Sequence, residues 1–142
     1  MGNRAVITTQ SNFDEDGVGI YLHWNGGRDS VTAFLTYCEL KEYRDPTSDC
    51  YGWARLAQVI GNFFGGKVSV GVDKCSRLDC DNWDNGVYII EGWRIVGRKY
   101  FGGIEQTGYD LIEALRSIDE AQPEKERIPE VINKFEEEYK KC

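Results

Sequence analysis

The hydrophobic pattern changes period within a few residues, and that switch constrains the fold more than any other feature of the chain. Val18, Ile20, Leu22 and Trp24 alternate with Gly19, Tyr21 and His23, the period-two pattern of a strand with one buried face. Gly26-Gly27 interrupts the pattern, and Val31, Phe34, Leu35 and Cys38 then recur at i, i+3, i+4 and i+7, a single apolar stripe on a helix capped by Asp29 or Ser30. A chain that makes this switch must pack a sheet against helices.

The remaining pattern extends the same plan. Residues 4–9 form a further strand, joined to the next through a polar connection, Asn12 to Gly17. A second helix, about 51–64, carries Trp53, Leu56, Ala57, Ile60 and Phe64 on one face and is predicted to lie deeper than the first. Val68, Val70 and Val72 alternate as a strand, and 87–91 and 93–98 pair as a hairpin turning at Glu91-Gly92. Thr107-Gly108-Tyr109-Asp110 has capping-box form ahead of Leu111, Ile112, Leu115 and Ile118. Pro129 opens a last helix with Ile128, Val131, Ile132, Phe135 and Tyr139 in its stripe. The order is β-β-α-α-β-β-β-α-α. The expectation is one α+β domain over residues 1–142, with a mostly antiparallel sheet of about five strands covered by about four helices.

Composition narrows the function classes. Hydrophobic residues make up 41% and aromatic residues 13% of 142, enough for one core. Its apolar runs fall short of the roughly 18 needed to cross a bilayer, and the start lacks a secretory h-region. The reading is a cytoplasmic protein without a membrane partner. Five cysteines at wide spacing indicate free thiols rather than disulfides or a zinc ribbon, and no cofactor motif is present. The net charge of −7 excludes non-specific binding of nucleic acid through a basic surface and points to a basic partner. The acidity is localised in one loop and the C-terminal third: residues 78–91 hold four acidic side chains and no Lys or Arg, and residues 105–142 hold 11 acidic against 6 basic, so that loop and the C-terminal helices are the expected faces for a basic partner.

Two loops hold the residues that packing does not explain. His23-Trp24-Asn25-Gly26-Gly27-Arg28 leads from a strand into a helix start, where backbone N–H groups, the helix dipole and Arg28 would suit a phosphate or another anionic small molecule. The loop lacks Gly-Lys-Ser/Thr and G-x-G-x-x-G, and its competing reading is a tight turn packed on His23 and Trp24. Asp79-Cys80-Asp81-Asn82-Trp83-Asp84-Asn85-Gly86 begins like a calcium loop, but its third Asp is one place late and position twelve is Ile90. It reads either as an ordinary Asp/Asn/Gly turn or as a protein-contact knob, with Trp83 as anchor and Asp79, Asp81, Asp84 and Glu91 facing basic groups. Of the tryptophans, Trp53 is assigned to the core, Trp24 and Trp83 to contacts, and Trp93 to either. A small hydrolase using His23 is a further reading, although no nucleophile is tied to His23 by a motif.

The string Gly19-Ile20-Tyr21-Leu22-His23-Trp24-Asn25-Gly26-Gly27-Arg28-Asp29-Ser30-Val31, with Tyr51-Gly52-Trp53-Ala54-Arg55 and Asp79-Cys80-Asp81-Asn82, resembles small proteins of phages and mobile elements, in particular a type II-A anti-CRISPR family that inhibits Cas9. The resemblance spans about residues 1–120. It implies a phage-encoded inhibitor of host defence that binds its target stoichiometrically in the host cytoplasm. An acidic surface suits a nuclease such as Cas9, which is basic where it holds nucleic acid.

Overall fold

Each expected element forms, with adjustments at its ends, in the computed structural model, which describes residues 2–141. Strands β1 (Ala5–Thr8), β2 (Val18–Leu22), β3 (Val70–Lys74), β4 (Val87–Glu91) and β5 (Arg94–Lys99) form one sheet in the order β3-β2-β1-β4-β5. All pairings are antiparallel except β1 with β4, where Val6 lies opposite Val87 and Ile7 opposite Tyr88 in parallel. The fold is α+β with a mixed sheet. Strand alternation sorts the side chains: Ala5, Ile7, Ile20, Leu22, Tyr88 and Ile90 face the helices, while Val6, Val87 and Ile89 face a smaller cluster with Phe13, Tyr21, Leu78 and Cys80.

Helices α1 (Gln10–Asp14), α2 (Arg28–Leu40), α3 (Cys50–Phe63), α4 (Leu111–Glu120) and α5 (Pro129–Lys140) complete the chain. Short helix α1 lies within the expected connection between β1 and β2, because the Thr9 side chain accepts the Asn12 N–H and starts a helical turn. No side chain caps α2: its N-cap is Gly27, with Asp29 in the first turn. The cap of α4 is Asp110, which accepts from Glu113 N, so the expected box at Thr107 is displaced by three residues. The hairpin turns at Gly92-Trp93, because Glu91 pairs with Arg94 and Gly92 takes φ 62°. Val68 is fully exposed outside β3.

The expected order of helix burial is reversed. Seven residues of α2 are buried against four of α3, because α2 runs between α3 and α4 while α3 lies at the side of the layer. Trp53 only borders the core, whereas Trp93 is buried and donates its indole N–H to Tyr43 O at 3.1 Å. No helix is long and apolar enough to cross a membrane among the described residues.

One buried polar contact ties the helical layer together. Tyr37 Oη donates to Asp119 Oδ1 at 2.6 Å, and Ile128 N donates to the same oxygen at 2.9 Å, joining α2, α4 and the entry to α5. Burial, reinforced by the Asp119 carboxylate, raises the Tyr37 phenol far above its ordinary value and keeps it a donor. Tyr37→Phe leaves a buried carboxylate short of a donor. The expected loss is roughly 1–3 kcal/mol of unfolding free energy, read from urea melts, with little change in the circular dichroism of the folded protein.

Candidate protein-contact site at one end of the sheet

The parallel β1–β4 pairing and the antiparallel β1–β2 pairing bring both sequence-predicted loops to the start of β1. The arm before β1 lies between them. Asn3 N donates to His23 O and Gly26 N donates to Asn3 O, while Asn85 N donates to Arg4 O and Val6 N to Gly86 O. The end of β5 arrives at the same place, since Val87 pairs with Lys99. His23, Asp84 and Lys99 thus share one end of the sheet although they are far apart in sequence. Glu91 does not join them. It lies at the other end of β4, roughly 13 Å away at 3.3 Å per residue.

The 23–28 turn is closed rather than cupped. A Cβ on Gly26 would lie 2.4 Å from Asn3 O, and one on Gly27 would lie 2.9 Å from Gln106 O, so the arm and the 105–109 segment press on the backbone from both sides. Asn25 holds a left-handed φ of 57°, and Tyr88 Oη donates to Gly26 O at 2.7 Å. Arg28 faces Glu105 at 3.8 Å, and Asp29 accepts the Gly108 and Tyr109 N–H groups. The neighbouring cavity, about 200 Å³, includes Asn25, Ser30, Phe34 and Phe63, with Asp110 and Glu113 among its polar groups and no Lys or Arg. An anion there would face two carboxylates. Neither His23 nor Trp24 nor Arg28 lines it.

His23 is half-buried, with Nδ1 2.9 Å from Tyr21 Oη and its ring edge-on to Trp24 at 5.0 Å. No Ser or Cys is hydrogen-bonded to its ring among the described residues. Burial drives the Cys38 thiol well above its ordinary value and the half-buried Cys80 thiol up to about 11, so both stay protonated and weakly nucleophilic near neutrality.

The 79–86 loop is built around a buried asparagine. Asn82, 0% exposed, donates to Asp79 O and Gly86 O and accepts from Asp84 N and Gly86 N. Two of the loop's carboxylates turn inward onto the arm: Asp84 takes Arg4 N and Nε at 3.0 and 2.8 Å, and Asp79 takes Arg4 Nη1 at 3.3 Å. Asp81 stays exposed, without a hydrogen bond or ion pair among the described residues. Trp83 stands at the apex, 90% exposed, with a left-handed φ of 65°. That conformation costs a bulky side chain roughly 1–2 kcal/mol, and burial of the ring returns almost nothing.

The other wall of this site carries little local sequence signal. Tyr100, Phe101, Gly102 and Gly103, just beyond β5, form a cleft of about 340 Å³ with Asp81, Trp83 and Asp84. Tyr100 also has a left-handed φ, 54°, and is 56% exposed. Its ring is braced edge-to-face by Phe13 at 6.3 Å. The only sequence signal was the run Tyr100-Phe101-Gly102-Gly103, aromatic residues followed by a flexible pair. The neighbouring surface adds Asp14, Asp16 and Asp79, so an acidic face surrounds two exposed aromatics. Comparison with protein-family models, curated proteins and solved structures finds no match for the chain.

Two consequences are measurable. Asn82→Ala removes the side chain that holds the loop and is expected to cost roughly 2–4 kcal/mol, with faster amide exchange across 79–86. Desolvation raises the Asp84 carboxyl, but hydrogen bonds and charge from Arg4 outweigh it and hold the group below the usual 3.8. A depressed carboxylate stabilises the fold above its unfolded pKa and loses that contribution as pH falls through the folded value. Acidification from pH 5 to below pH 3.8 should therefore loosen the loop and change Trp83 fluorescence, and Arg4→Met should remove that pH dependence.

Proposed function

We propose that this protein is a host-defence inhibitor that docks stoichiometrically onto a basic nuclease of the Cas9 type, as an anti-CRISPR of phage origin acting in the host cytoplasm. The observation that carries the reading is Trp83: a tryptophan held fully exposed on left-handed backbone by a buried asparagine, beside Tyr100 and Asp81. Strained residues of this kind persist where function selects them. An exposed aromatic anchor ringed by carboxylates suits a partner that presents Arg and Lys. The net charge of −7 favours fast encounter with such a partner. The choice of Cas9 rests on the resemblance carried by residues 19–31, 51–55 and 79–82.

The docking face is narrower than the acidic sequence indicates. Helix α5 packs on α4 in the layer covering the opposite face of the sheet, and its Glu136 is engaged by Arg116 and Lys140. The face therefore comprises Asp81, Trp83 and Asp84 with Tyr100, without Glu91. The anionic-ligand reading of the 23–28 turn has no open cradle to support it.

Co-purification with Cas9 at low and high salt tests the proposal. A one-to-one complex that weakens as salt rises is expected, and absence of a complex at both salts would refute it. Trp83→Gly separates binding from folding: it should weaken the complex at least about 30-fold, a loss of roughly 2 kcal/mol. Because glycine accepts φ 65° without strain, the melting temperature should stay equal or rise.

A further inference from the structure

Resting on the docking reading above, we infer that the cleft between Trp83 and Tyr100 is a socket for a single arginine side chain of the partner. The cleft combines aromatic walls, Trp83, Tyr100 and Phe101, with two carboxylates, Asp81 and Asp84. Asp81 has no partner among the described residues. Asp84 meets Arg4 through Oδ2, and its Oδ1 makes no hydrogen bond or ion pair among those residues. No Lys or Arg lines the cleft, and the nearby cations are already engaged. Arg4 spans Asp79 and Asp84, Arg98 pairs with Glu105, and Lys99 sits over Phe13 at 5.7 Å. The site thus offers ring faces and, at Asp81, a carboxylate that no internal cation matches, with Asp84 beside it already paired to Arg4.

A planar cation fits this pairing better than a compact one. Guanidinium stacks on aromatic rings while presenting paired N–H donors to a carboxylate, whereas ammonium is a strongly hydrated point charge. The protein uses the same arrangement one step inward. The Arg98 guanidinium lies 4.0 Å from the Tyr88 ring centre and 3.8 Å from that of Phe101, and pairs with Glu105. Phe101 belongs both to that filled stack and to the open cleft. Arg98 is thus an example within this protein of a guanidinium against a ring, closed by a carboxylate, on an aromatic that also lines the cleft. The charge sign excludes an anionic occupant, and the volume of about 340 Å³ leaves room for the methylene stem as well as the head.

The test follows the indole N–H signal of Trp83 in nitrogen–proton spectra of the full chain, identified by its absence in Trp83→Gly. N-acetylarginine amide is the probe, with its citrulline and lysine counterparts as controls. Arginine should shift the Trp83 signal saturably, citrulline should leave it in place, and lysine should bind at least about fivefold more weakly. Asp81→Asn should weaken the arginine response several-fold while leaving the melting temperature unchanged. An equal response to citrulline would overturn the cationic assignment, lysine matching arginine would overturn the choice of guanidinium, and no response to arginine would overturn the socket. Capture of Cas9 without an arginine response refutes the socket and leaves the docking reading standing. An arginine response without capture of Cas9 at either salt refutes the docking reading and leaves the socket standing.

Discussion

The parallel pairing of β1 with β4 is the constraint on which the rest of the molecule depends. Strand β1 is buried along its whole length and bonded on both edges, so its partners must come from elsewhere in the chain. A parallel partner requires the chain to return to the end from which β1 began, and here the excursion carries α2, α3 and β3. On its return, the loop before β4 must meet the arm before β1. The bonds of Asn85 and Gly86 to Arg4 and Val6 record that meeting, and the Arg4 contacts to Asp79 and Asp84 follow from it.

That junction divides its carboxylates between structure and surface. Asp79 and Asp84 neutralise Arg4, and Asn82 satisfies the loop's inward backbone groups. The backbone strain at Trp83 is tolerated because the turn around it is fixed by bonds that do not involve its side chain. Tyr100 repeats the device at the end of β5, with its ring braced by Phe13. The backbone at two exposed aromatics is thereby held beside Asp81 and Asp84.

Much of the fold was legible because binary patterning is local. The period-two run at Val18–Leu22, the stripes of α2 to α5 and proline at the start of α5 all give the right elements. Errors arose where tertiary contacts overrode local chemistry. Asp29 has the form of an N-cap but serves the 108–109 backbone, so Gly27 starts the helix and Asp110 takes the capping role further along. The depth of α2 relative to α3 depends on which neighbours flank each helix, which an apolar stripe does not encode. The site was half legible: Trp83 and its acidic neighbours stand out by composition, but Glu91 belongs to the far end of a strand, and Tyr100 gave little local signal.

Local pattern was enough to give the class, an acidic α+β chain, and to mark one loop that concentrates Asp, Asn and Trp. What that loop does in the folded chain depends on its distant neighbours. Strand register sets which loops share an end of the sheet, and register depends on partners tens of residues away. It closed the 23–28 turn with the arm and the 105–109 segment, and it placed Tyr100 and Phe101 opposite Trp83. Side-chain identity supplied the charge and the rings. Pairing across the sheet turned them into a cleft.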